Sequence, residues 1–327
     1  METNLPKTIN WGIIGLGKIA HKFAADLAKV SDAKLYAVAS RTQENADNFA
    51  SQFGASKAYN SYEALAKDQN VDAVYIATPH SFHNEHSVLC LQNKKAVLCE
   101  KPFAMNRNEV EHMISVAKEN DTLLMEALWT YFLPHYQYVL KELEHKTYGN
   151  VLKLEADFGF KPKLDLSSRV LKKSLGGGSL LDIGIYPIFA ALSALGKPKT
   201  IEAKATFFEN GADSSTLMIF GYDDNVEAQL KSTFLEETKT EAIFHCEKGT
   251  IKINTKFHEP STVTIIAEGK EKILDFNYTT IGYNYEIIHF NELIRNGKTE
   301  SPIMTFDFSK NLMQLLDTVR TQIGLEY

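Results

Sequence analysis

The sequence predicts an α/β domain followed by an α+β domain. The chain has 327 residues, and at about 150 residues per domain this length indicates two domains. The first third alternates short apolar runs with segments of helical spacing. After about residue 150 the chain changes to a succession of short β-rich runs separated by turn residues.

Residues 1–128 form the first predicted domain. Its strand-like runs are short and apolar, and they are Thr8–Ile14, Leu35–Ala39, Val71–Thr78, Ala96–Cys99 and Leu123–Glu126. The helical segments between them are Lys18–Val30, Asn45–Phe53, His86–Gln92 and Asn108–Glu119. Strands that alternate with helices in this way indicate βαβ units, and therefore a parallel sheet.

Residues 129–327 form the second predicted domain, which we expect to bind the substrate and to mediate oligomerisation. Its β-rich runs are Leu152–Phe160, Ile201–Phe208, Ser215–Phe220, Val226–Phe234, Glu241–Cys246, Thr250–Asn254, Val263–Ala267 and Lys272–Phe276. Turn signals between several of them, such as Lys248–Gly249, predict a predominantly antiparallel sheet. The predicted helices are Leu180–Leu195, Glu286–Asn296 and Phe308–Ile323, and we allow for the last to pack back on the first domain.

Helices on one face of the second sheet leave its other face open. A second copy of the chain is the economical cover for that face, so we expect a homodimer or a higher oligomer.

Composition excludes several classes of protein. The net charge is −6, which gives no general affinity for nucleic acids or anionic membranes. Cys90, Cys99 and Cys246 form no CxxC pair, as expected in a reducing cytoplasm. The first residues lack the apolar core of a signal peptide, and the longest nearly apolar stretch, Tyr186–Leu195, is shorter than the ~18 residues of a membrane span. We therefore expect a cytoplasmic protein.

Residues Gly15–Ala20 read GLGKIA, a G-x-G-x-x-A pattern between a predicted strand and a predicted helix. Gly15 permits the tight turn, Gly17 lets the backbone approach a pyrophosphate, and Ala20 allows close packing of helix on strand. The helix N-terminus then faces the anion. This predicts a dinucleotide-binding Rossmann domain; an ordinary βα turn with two glycines is the alternative.

The end of the second predicted strand indicates which dinucleotide binds. NAD sites place an acidic residue about 20 positions beyond the glycines, but here the chain has Ser40 and Arg41 and no acid before Glu44. A hydroxyl and a guanidinium suit a 2′-phosphate. The whole chain has only five arginines, so an arginine here is informative. We predict NADP(H) rather than NAD(H); a solvated arginine that starts a helix is the alternative.

Two further segments carry titratable side chains at positions that suit an active site. Glu100-Lys101-Pro102 directly follows a predicted strand of the first domain, where residues line the ligand crevice. Gly176–Pro187 reads GGGSLLDIGIYP, and its Asp182 and Tyr186 are four residues apart, hence on one helix face.

These three motifs together resemble the Gfo/Idh/MocA oxidoreductases, and in particular the branch of the dimeric dihydrodiol dehydrogenases and NADP-dependent D-xylose 1-dehydrogenases. The resemblance covers roughly residues 11–325. It implies a Rossmann domain followed by an α+β domain with an open-faced sheet. It also implies that Lys101 lies between nicotinamide and substrate, that Asp182 and Tyr186 form the acid/base pair, and that the bond before Pro102 is often cis.

The predicted site follows from the motifs and this resemblance. The catalytic residues are Lys101, Asp182 and Tyr186. The cofactor-binding residues are Gly15, Gly17, Lys18, Ile19, Ser40, Arg41, Thr78, Pro79, His83, Glu100 and Lys101. The substrate-binding residues are Trp129, Phe160 and Arg169, and no metal is expected.

Structural roles compete with several of these assignments. Ser179 and Asp182 also match a capping box, Tyr186 before Pro187 suits a packed aromatic at a helix kink, and Glu100–Lys101 suits a surface pair. Packing or solvent exposure competes likewise for His83, Trp129, Phe160 and Arg169. Tyr131 departs from the branch, which has arginine at this position, and this departure bears on the substrate.

The sequence thus predicts an NADP(H)-dependent oxidoreductase that transfers a hydride between nicotinamide and a carbinol or carbonyl carbon of a sugar, polyol or vicinal diol. Tyrosine, with an ordinary pKa of ~10, is a poor base until a nearby ammonium lowers that pKa. The alternatives are a non-catalytic NADP sensor of the same superfamily and a cofactor-assisted glycoside hydrolase.

Overall fold

The structure, a computed structural model, describes residues 7–327. These residues form two compact units. One comprises the described residues up to Trp129 together with Thr279–Lys310, and the other comprises Thr130–Tyr278 together with Asn311–Tyr327. The sequence division after residue 128 assigned Thr279–Lys310 to the second domain, whereas the structure groups this segment with the first unit.

A buried carboxylate explains why this late segment joins the first unit. Asp26 is 3% exposed and accepts hydrogen bonds from the backbone N–H groups of Ile281, Gly282 and Tyr283 at 2.7–3.1 Å. These N–H groups lie at the start of a helix, where no intrahelical acceptor exists for them. Asp26 therefore caps a helix more than 250 positions away along the chain.

The first unit is built on a parallel sheet with the strand order β3-β2-β1-β4-β5-β6. The strands are β1 (Ile9–Ile14), β2 (Ala33–Ala39), β3 (Lys57–Tyr59), β4 (Ala73–Ile76), β5 (Ala96–Glu100) and β6 (Leu124–Ala127). The helices are α1 (Lys18–Leu27), α2 (Gln43–Phe53), α3 (Tyr62–Lys67), α4 (His83–Gln92), α5 (Arg107–Glu119) and α8 (Tyr283–Arg295). The predicted parallel α/β architecture is confirmed; β3 and α3 were not predicted, because they are too short to show a periodicity.

The second unit is built on a mixed sheet with the strand order β14-β13-β12-β11-β7-β10-β9-β8. The strands are β7 (Val151–Gly159), β8 (Thr200–Phe207), β9 (Asp213–Gly221), β10 (Glu227–Thr233), β11 (Ala242–Cys246), β12 (Gly249–Ile253), β13 (Val263–Ala267) and β14 (Lys270–Leu274). β7 and β10 run parallel, and the other neighbours in the sheet are antiparallel. The predominantly antiparallel prediction is therefore confirmed.

Helices α6 (Pro134–Glu144) and α7 (Ile185–Leu195) belong to the second unit, and α9 (Phe306–Gln322) begins in the first unit and continues in the second. Helix α6 was not predicted. Helix α7 packs on β7 and β10 and is preceded by a π-helical turn, Leu180–Gly184.

The two faces of the second sheet differ in exposure. Leu154, Phe220 and Phe244 are buried on one face. On the other face Leu217 is 54% exposed and Ile219 is 42% exposed. The period-2 alternation of strands places these two sets on opposite sides, so the sheet has the open face that the sequence predicted.

Residues Lys173–Leu195 are long and apolar enough, by length and composition alone, to cross a membrane. The sequence analysis compared only the shorter stretch Tyr186–Leu195 with the length of a membrane span. In the structure 83% of the apolar window is buried inside the protein, as in the core helix of a soluble protein. The segment is also interrupted, because Gly176 and Gly178 have positive φ angles of 76° and 132°.

Candidate active site

The carboxyl ends of the parallel strands bring the motifs of the first unit to one edge of the sheet. The glycine turn follows β1, Ser40 follows β2, Thr78 lies just beyond β4, and Lys101 follows β5. The strand order reverses between β1 and β4, and ligands of such sheets bind at this switch point. The sequence-predicted cofactor residues of this unit therefore share one edge.

The turn between β1 and α1 requires glycine at position 15. Gly15 has a φ of +88°, which L side chains rarely adopt. A Cβ there would lie 2.6 Å from the backbone carbon of Ala77 and the backbone nitrogen of Thr78. Gly15 thus lets the turn pass directly against the end of β4.

Gly17 is needed for a different reason. A Cβ at this position would meet nothing within 4 Å, so the space beside it is open. Gly17 is the N-cap of α1, no side chain caps this end of the helix, and the first turn contains no acidic residue. Exposed Lys18 and Ile19 begin the helix. A pyrophosphate fits this arrangement, because the first backbone N–H groups of a helix favour an anion.

Ser40 and Arg41 lie between the end of β2 and the start of α2. The Ser40 N–H donates to the Tyr59 carbonyl, and Thr42, not Arg41, accepts the capping hydrogen bond from Asn45. Arg41 is exposed, and its charge opposes the rise that burial produces in the pKa of Tyr62. The guanidinium therefore extends from the carboxyl edge of β2 and does not serve as part of the helix cap.

His83 connects the loop after β4 with the loop after β5. It is fully buried, and its ring nitrogens lie 2.8 Å from the Thr78 carbonyl oxygen and 2.9 Å from the Pro102 carbonyl oxygen. The Lys101–Pro102 bond is cis. The Thr78 hydroxyl also lies 3.0 Å from Nδ1 of His86. These contacts fix the loop after β4 and the loop after β5 relative to each other. Pro79 follows Thr78 and directly precedes the helical turn His80–Phe82.

Buried carboxyl groups lie behind Lys101. Glu100 is 7% exposed, accepts a hydrogen bond from the Tyr75 hydroxyl, and accepts another from the Lys101 N–H at 3.1 Å. Glu126 is also buried; burial raises its pKa to about 7, and the Lys101 charge opposes this rise. Glu100 is thus a buried group of the sheet edge rather than half of a surface pair.

In the second unit, Asp182 faces an arginine. Asp182 lies in the π-helical turn that precedes α7, and its Oδ1 accepts a hydrogen bond from the Arg169 guanidinium at 3.2 Å. The sequence proposed both residues separately, one as catalytic and one as substrate-binding. The structure brings them together.

The π-helical turn with Asp182 continues directly into α7 with Tyr186. The start of this continuous helical segment is capped by a residue that the sequence analysis missed. Asp213, at the start of β9, accepts a hydrogen bond from the Leu180 N–H at 2.7 Å. The hydroxyls of Ser179 and Thr216 donate to the same Oδ2 at 2.7 and 3.1 Å. Nothing in the local sequence links Asp213 to this helix, because 33 positions separate it from Leu180.

The aromatic candidates lie in packed surroundings. Tyr186 is 4% exposed, and its ring centroid is 4.8 Å from that of His258. Phe160 packs edge-on against Phe234, with ring centroids 5.0 Å apart, in an apolar cluster that also contains Leu171 and Ile183.

Trp129 and Tyr131 pack in different units. Trp129 stacks on Tyr283 in the first unit with ring centroids 4.4 Å apart. Tyr131, at the position where the branch has arginine, packs edge-on against Phe189 of α7 in the second unit. Burial raises the pKa of the Tyr131 hydroxyl.

Two family profiles match the chain in succession. A profile described as an oxidoreductase family with an NAD-binding Rossmann fold matches residues 9–128, and the GFO/IDH/MocA C-terminal domain matches residues 136–252. The chain belongs to the Gfo/Idh/MocA oxidoreductase family. The resemblance inferred from the motifs is confirmed.

Relatives match this Gfo/Idh/MocA protein over nearly its whole length. A trans-1,2-dihydrobenzene-1,2-diol dehydrogenase from Xenopus tropicalis is 36% identical, with 97% of this chain and 98% of the relative covered. A scyllo-inositol 2-dehydrogenase (NADP(+)) from Bacillus subtilis (strain 168) is also 36% identical, with 98% of each covered.

Among solved structures, a 3-ketoreductase from Actinomadura kijaniata in complex with NADP and TDP-benzene is 28% identical. It has a TM-score of 0.87, with 97% of this chain and 98% of that chain covered. The protein is therefore an oxidoreductase with an NAD(P)-binding Rossmann fold, and the names of its relatives agree with chemistry at CH–OH groups.

Proposed function

We propose that this Gfo/Idh/MocA protein is an NADP(H)-dependent dehydrogenase or reductase that acts on a sugar, polyol or vicinal diol. The observation that carries the proposal is the common sheet edge. Lys101, backed by buried Glu100 and Glu126, follows β5 at the same edge where the uncapped start of α1 receives a dinucleotide. When bound, the nicotinamide supplies or accepts the hydride.

NADP(H) is the proposed cofactor. Ser40 and the exposed Arg41 follow β2, and a guanidinium binds a phosphate monoester bidentately. The name of the Bacillus relative includes NADP(+), and the solved ketoreductase contains NADP. Gly15, Gly17, Lys18 and Ile19 hold the pyrophosphate in this proposal.

The remaining cofactor contacts come from the loops after β4 and β5, at Thr78, Pro79, Glu100 and Lys101. His83 serves this group by bridging the Thr78 and Pro102 carbonyls.

Oxidation of a carbinol carbon requires that its hydroxyl proton leaves. We assign this proton transfer to Lys101 and Tyr186, and we assign an orienting charge to Asp182. Arg169, whose guanidinium holds Asp182, is the polar substrate contact, while Trp129 and Phe160 supply apolar walls.

Relatives that act on a dihydrodiol and on an inositol support a substrate with vicinal hydroxyl groups.

The open sheet face supports an oligomer. A hollow of about 430 Å³ on this face is lined partly by Leu217, Ile219 and Ile243, and exposed apolar patches of monomers often mark interfaces. We propose a homodimer or higher oligomer through this face, in the cytoplasm, with no nucleic-acid or membrane partner.

A cofactor-resolved substrate screen tests the function. Absorbance of NADPH and NADH is followed with a panel of aldoses, polyols and vicinal diols in both directions. Turnover of at least one class, faster with the NADP(H) pair, is expected. Tight NADP(H) binding without turnover across the panel contradicts the enzyme and indicates a sensor. Glycoside cleavage with retained cofactor contradicts the dehydrogenase.

A further inference from the structure

Two side chains of the parallel sheet hold the backbone of Phe103. Phe103 is 1% exposed, and its N–H donates a hydrogen bond to Oε1 of Glu126 at 3.0 Å. Its carbonyl oxygen accepts a weak hydrogen bond from the Cys99 thiol, with Sγ at 3.8 Å. Cys99 on β5 and Glu126 on β6 are paired in register, and such paired residues point to the same face of a sheet. One face of the sheet edge therefore holds both backbone polar groups of Phe103.

Phe103 ends the short loop that presents Lys101. The Lys101 N–H donates to Oε2 of Glu100 at 3.1 Å, and the carbonyl oxygen of the proline that follows lies 2.9 Å from Nδ1 of His83. Glu126 accepts from the next backbone N–H along the chain, which is that of Phe103. The backbone on both sides of the Lys101 side chain is thus anchored, and Glu126 provides the last of these anchors.

Glu126 is a buried carboxyl group with an incomplete set of donors. It is 2% exposed, and its Oε2 has no hydrogen-bond partner within residues 7–327. Burial raises the pKa of Glu126 to about 7, and the hydrogen bonds from the Ser309 hydroxyl and the Phe103 N–H oppose this rise. Glu126 therefore gains and loses its proton near neutral pH.

Charged and titratable groups of the β5 edge lie beside this carboxyl group. The negative charge of Glu100 adds to the rise in the Glu126 pKa, and the positive charge of Lys101 opposes it. The Cys99 thiol keeps its proton, because burial raises its pKa well above its ordinary value. Ser309, which lies on α9, is neutral. Glu126 therefore changes its charge near neutral pH in the neighbourhood of the Lys101 ammonium.

We propose that Glu126 is a positioning residue for Lys101, which it holds in place through the Phe103 N–H, and that it does so most firmly as a carboxylate. A hydrogen bond to an ionised acceptor is roughly twice as strong as one to a neutral acceptor. Above about pH 7 the Phe103 N–H donates to a carboxylate, and below this pH it donates to a neutral carboxylic acid. The Lys101 loop is therefore held more tightly as pH rises through about 7.

The catalytic part of this role rests on the proposed function, because it needs Lys101 to take part in the reaction. The hydrogen bond itself does not. The amide signal of Phe103 in a nuclear magnetic resonance spectrum reports on it directly, because the chemical shift of an N–H that donates to a carboxyl group changes when that group ionises.

The test uses Glu126→Gln and Glu126→Leu in the full chain, with Glu109→Gln as the matched control. Glutamine keeps a neutral acceptor for the Phe103 N–H but cannot ionise, whereas leucine removes the acceptor. Glu109 also accepts a backbone N–H, that of Met105 at 3.1 Å, but it is only half-buried. We expect the Phe103 amide signal to titrate near pH 7 in the unmodified protein and in Glu109→Gln, and in neither Glu126 variant.

Kinetics on an active substrate test the positioning role. Glu126→Leu leaves a buried N–H unpaired, so we expect kcat to fall about tenfold or more, with an unchanged KM for NADPH. For Glu126→Gln the informative quantity is the ratio of the unmodified kcat to the variant kcat, because groups common to both proteins cancel. This ratio should rise from about 1 at about pH 6 to about fivefold at about pH 8, since a hydrogen bond to a charged group is stronger. Glu109→Gln should give a constant ratio near 1.

A Phe103 amide signal that does not titrate, or that titrates equally in Glu126→Gln, overturns the proposed hydrogen bond to an ionising carboxyl group. A kcat ratio for Glu126→Gln that stays constant with pH overturns the positioning role. An amide signal that titrates as expected in a protein that turns over nothing supports the hydrogen bond and counts against the proposed function alone. The glutamine variant, which keeps the shape of the side chain, decides these points even if Glu126→Leu does not fold.

Discussion

Arg169 holds Asp182: the guanidinium donates a hydrogen bond to Oδ1 across 3.2 Å. The Arg169 side chain is 42% exposed and that of Asp182 is 10% exposed. An ion pair with one partner in water contributes only about 0–1 kcal/mol to stability. The ion pair therefore contributes little to the stability of the fold. We attribute Arg169 instead to its proposed role, in which its guanidinium holds Asp182 and contacts the substrate.

Replacing Arg169 with alanine should impair turnover while sparing the fold. We expect kcat/KM for the sugar, polyol or diol to fall about 10- to 100-fold, as when a charge-assisted hydrogen bond is lost. The unfolding free energy should change by less than about 1 kcal/mol. Steady-state kinetics and urea unfolding measure the two effects.

Arg107→Ala is the control, because Arg107 forms an exposed i,i+4 pair with Glu111 on α5. It should leave kinetics and stability unchanged. Equal kinetics for the two variants would remove Arg169 from the site.

Short-range patterns were enough to predict most of the fold. The alternation of apolar runs and helical spacing predicted the order of the longer strands and helices in the first unit, since each of these has its own periodicity, whereas β3 and α3 are too short to show one. The grouping of Thr279–Lys310 with the first unit was not predictable in the same way. It depends on Asp26 capping a helix near Tyr283, and no local pattern encodes a contact over that separation.

The same distinction between local patterns and distant contacts applies to the candidate site. The glycine turn and the residues after β5 were predictable, because their chemistry is written in consecutive residues. Asp213 was not, because Ser179 and Asp182 already formed a plausible capping box and the acceptor for Leu180 comes from a distant strand. The pairing of Arg169 with Asp182 was missed because the intervening glycines have turn conformations that sequence spacing does not reveal.

Alanine substitutions at the two glycines of the first turn should have different effects: one should lower the stability of the fold, and the other should weaken cofactor binding. Gly15→Ala places a Cβ 2.6 Å from backbone atoms at a φ of +88°, and we expect a loss of about 3 kcal/mol in unfolding free energy. Gly17→Ala meets nothing within 4 Å and should cost less than about 1 kcal/mol.

Gly17→Ala should nevertheless weaken NADPH binding about tenfold or more, because its methyl group enters the space beside the helix start. Thermal unfolding and fluorescence titration with NADPH distinguish these effects. A destabilised Gly17→Ala variant, or one with unchanged NADPH affinity, would contradict this account of the turn.

Arg41→Ala should change which cofactor is preferred. Loss of a guanidinium from a phosphate monoester should weaken NADPH binding by about 10- to 100-fold. NADH lacks this phosphate, so its affinity should not change. Titration with both cofactors measures the ratio, with the exposed Lys57→Ala as a charge-matched control. An equal loss for both cofactors would show that Arg41 does not read the 2′-phosphate.

Lys101→Ala should abolish most turnover while NADPH still binds. A positioned acid or base contributes about 100- to 10,000-fold, and Lys101 is the cation nearest the end of β5 along the chain. Single-turnover kinetics and NADPH titration separate the two steps. The exposed Lys67→Ala, at the end of α3, is the control. Turnover near that of the unmodified protein would reject the proposed role of Lys101.

His135 should make the second unit sensitive to acid. Its Nε2 lies 3.0 Å from the Phe257 carbonyl and its Nδ1 lies 2.6 Å from the Tyr278 hydroxyl. The carbonyl only accepts, so Nε2 carries the proton and Nδ1 accepts from the phenol. Burial lowers the pKa of this histidine to about 4, against about 6.5 in an unfolded chain.

Between these two pKa values the unfolded state binds more protons than the folded state, so stability falls as pH falls. From about pH 7 to about pH 5 the loss due to His135 should be about 2 kcal/mol. Glu126 has the opposite sign in this range, because burial raises its pKa to about 7 and its stabilising contribution fades as pH rises. The net pH dependence of the unmodified protein therefore understates the effect of His135.

The difference between the unmodified protein and His135→Gln isolates that effect, since Glu126 is common to both. In urea unfolding the stability advantage of the unmodified protein should shrink by about 2 kcal/mol between about pH 7 and about pH 5. His112→Gln, an exposed histidine on α5, should show a constant difference over the same range. If the stability difference between the unmodified protein and His135→Gln also stays constant, this histidine takes up a proton equally in the folded and unfolded states. That result would contradict a neutral, buried imidazole in the folded protein.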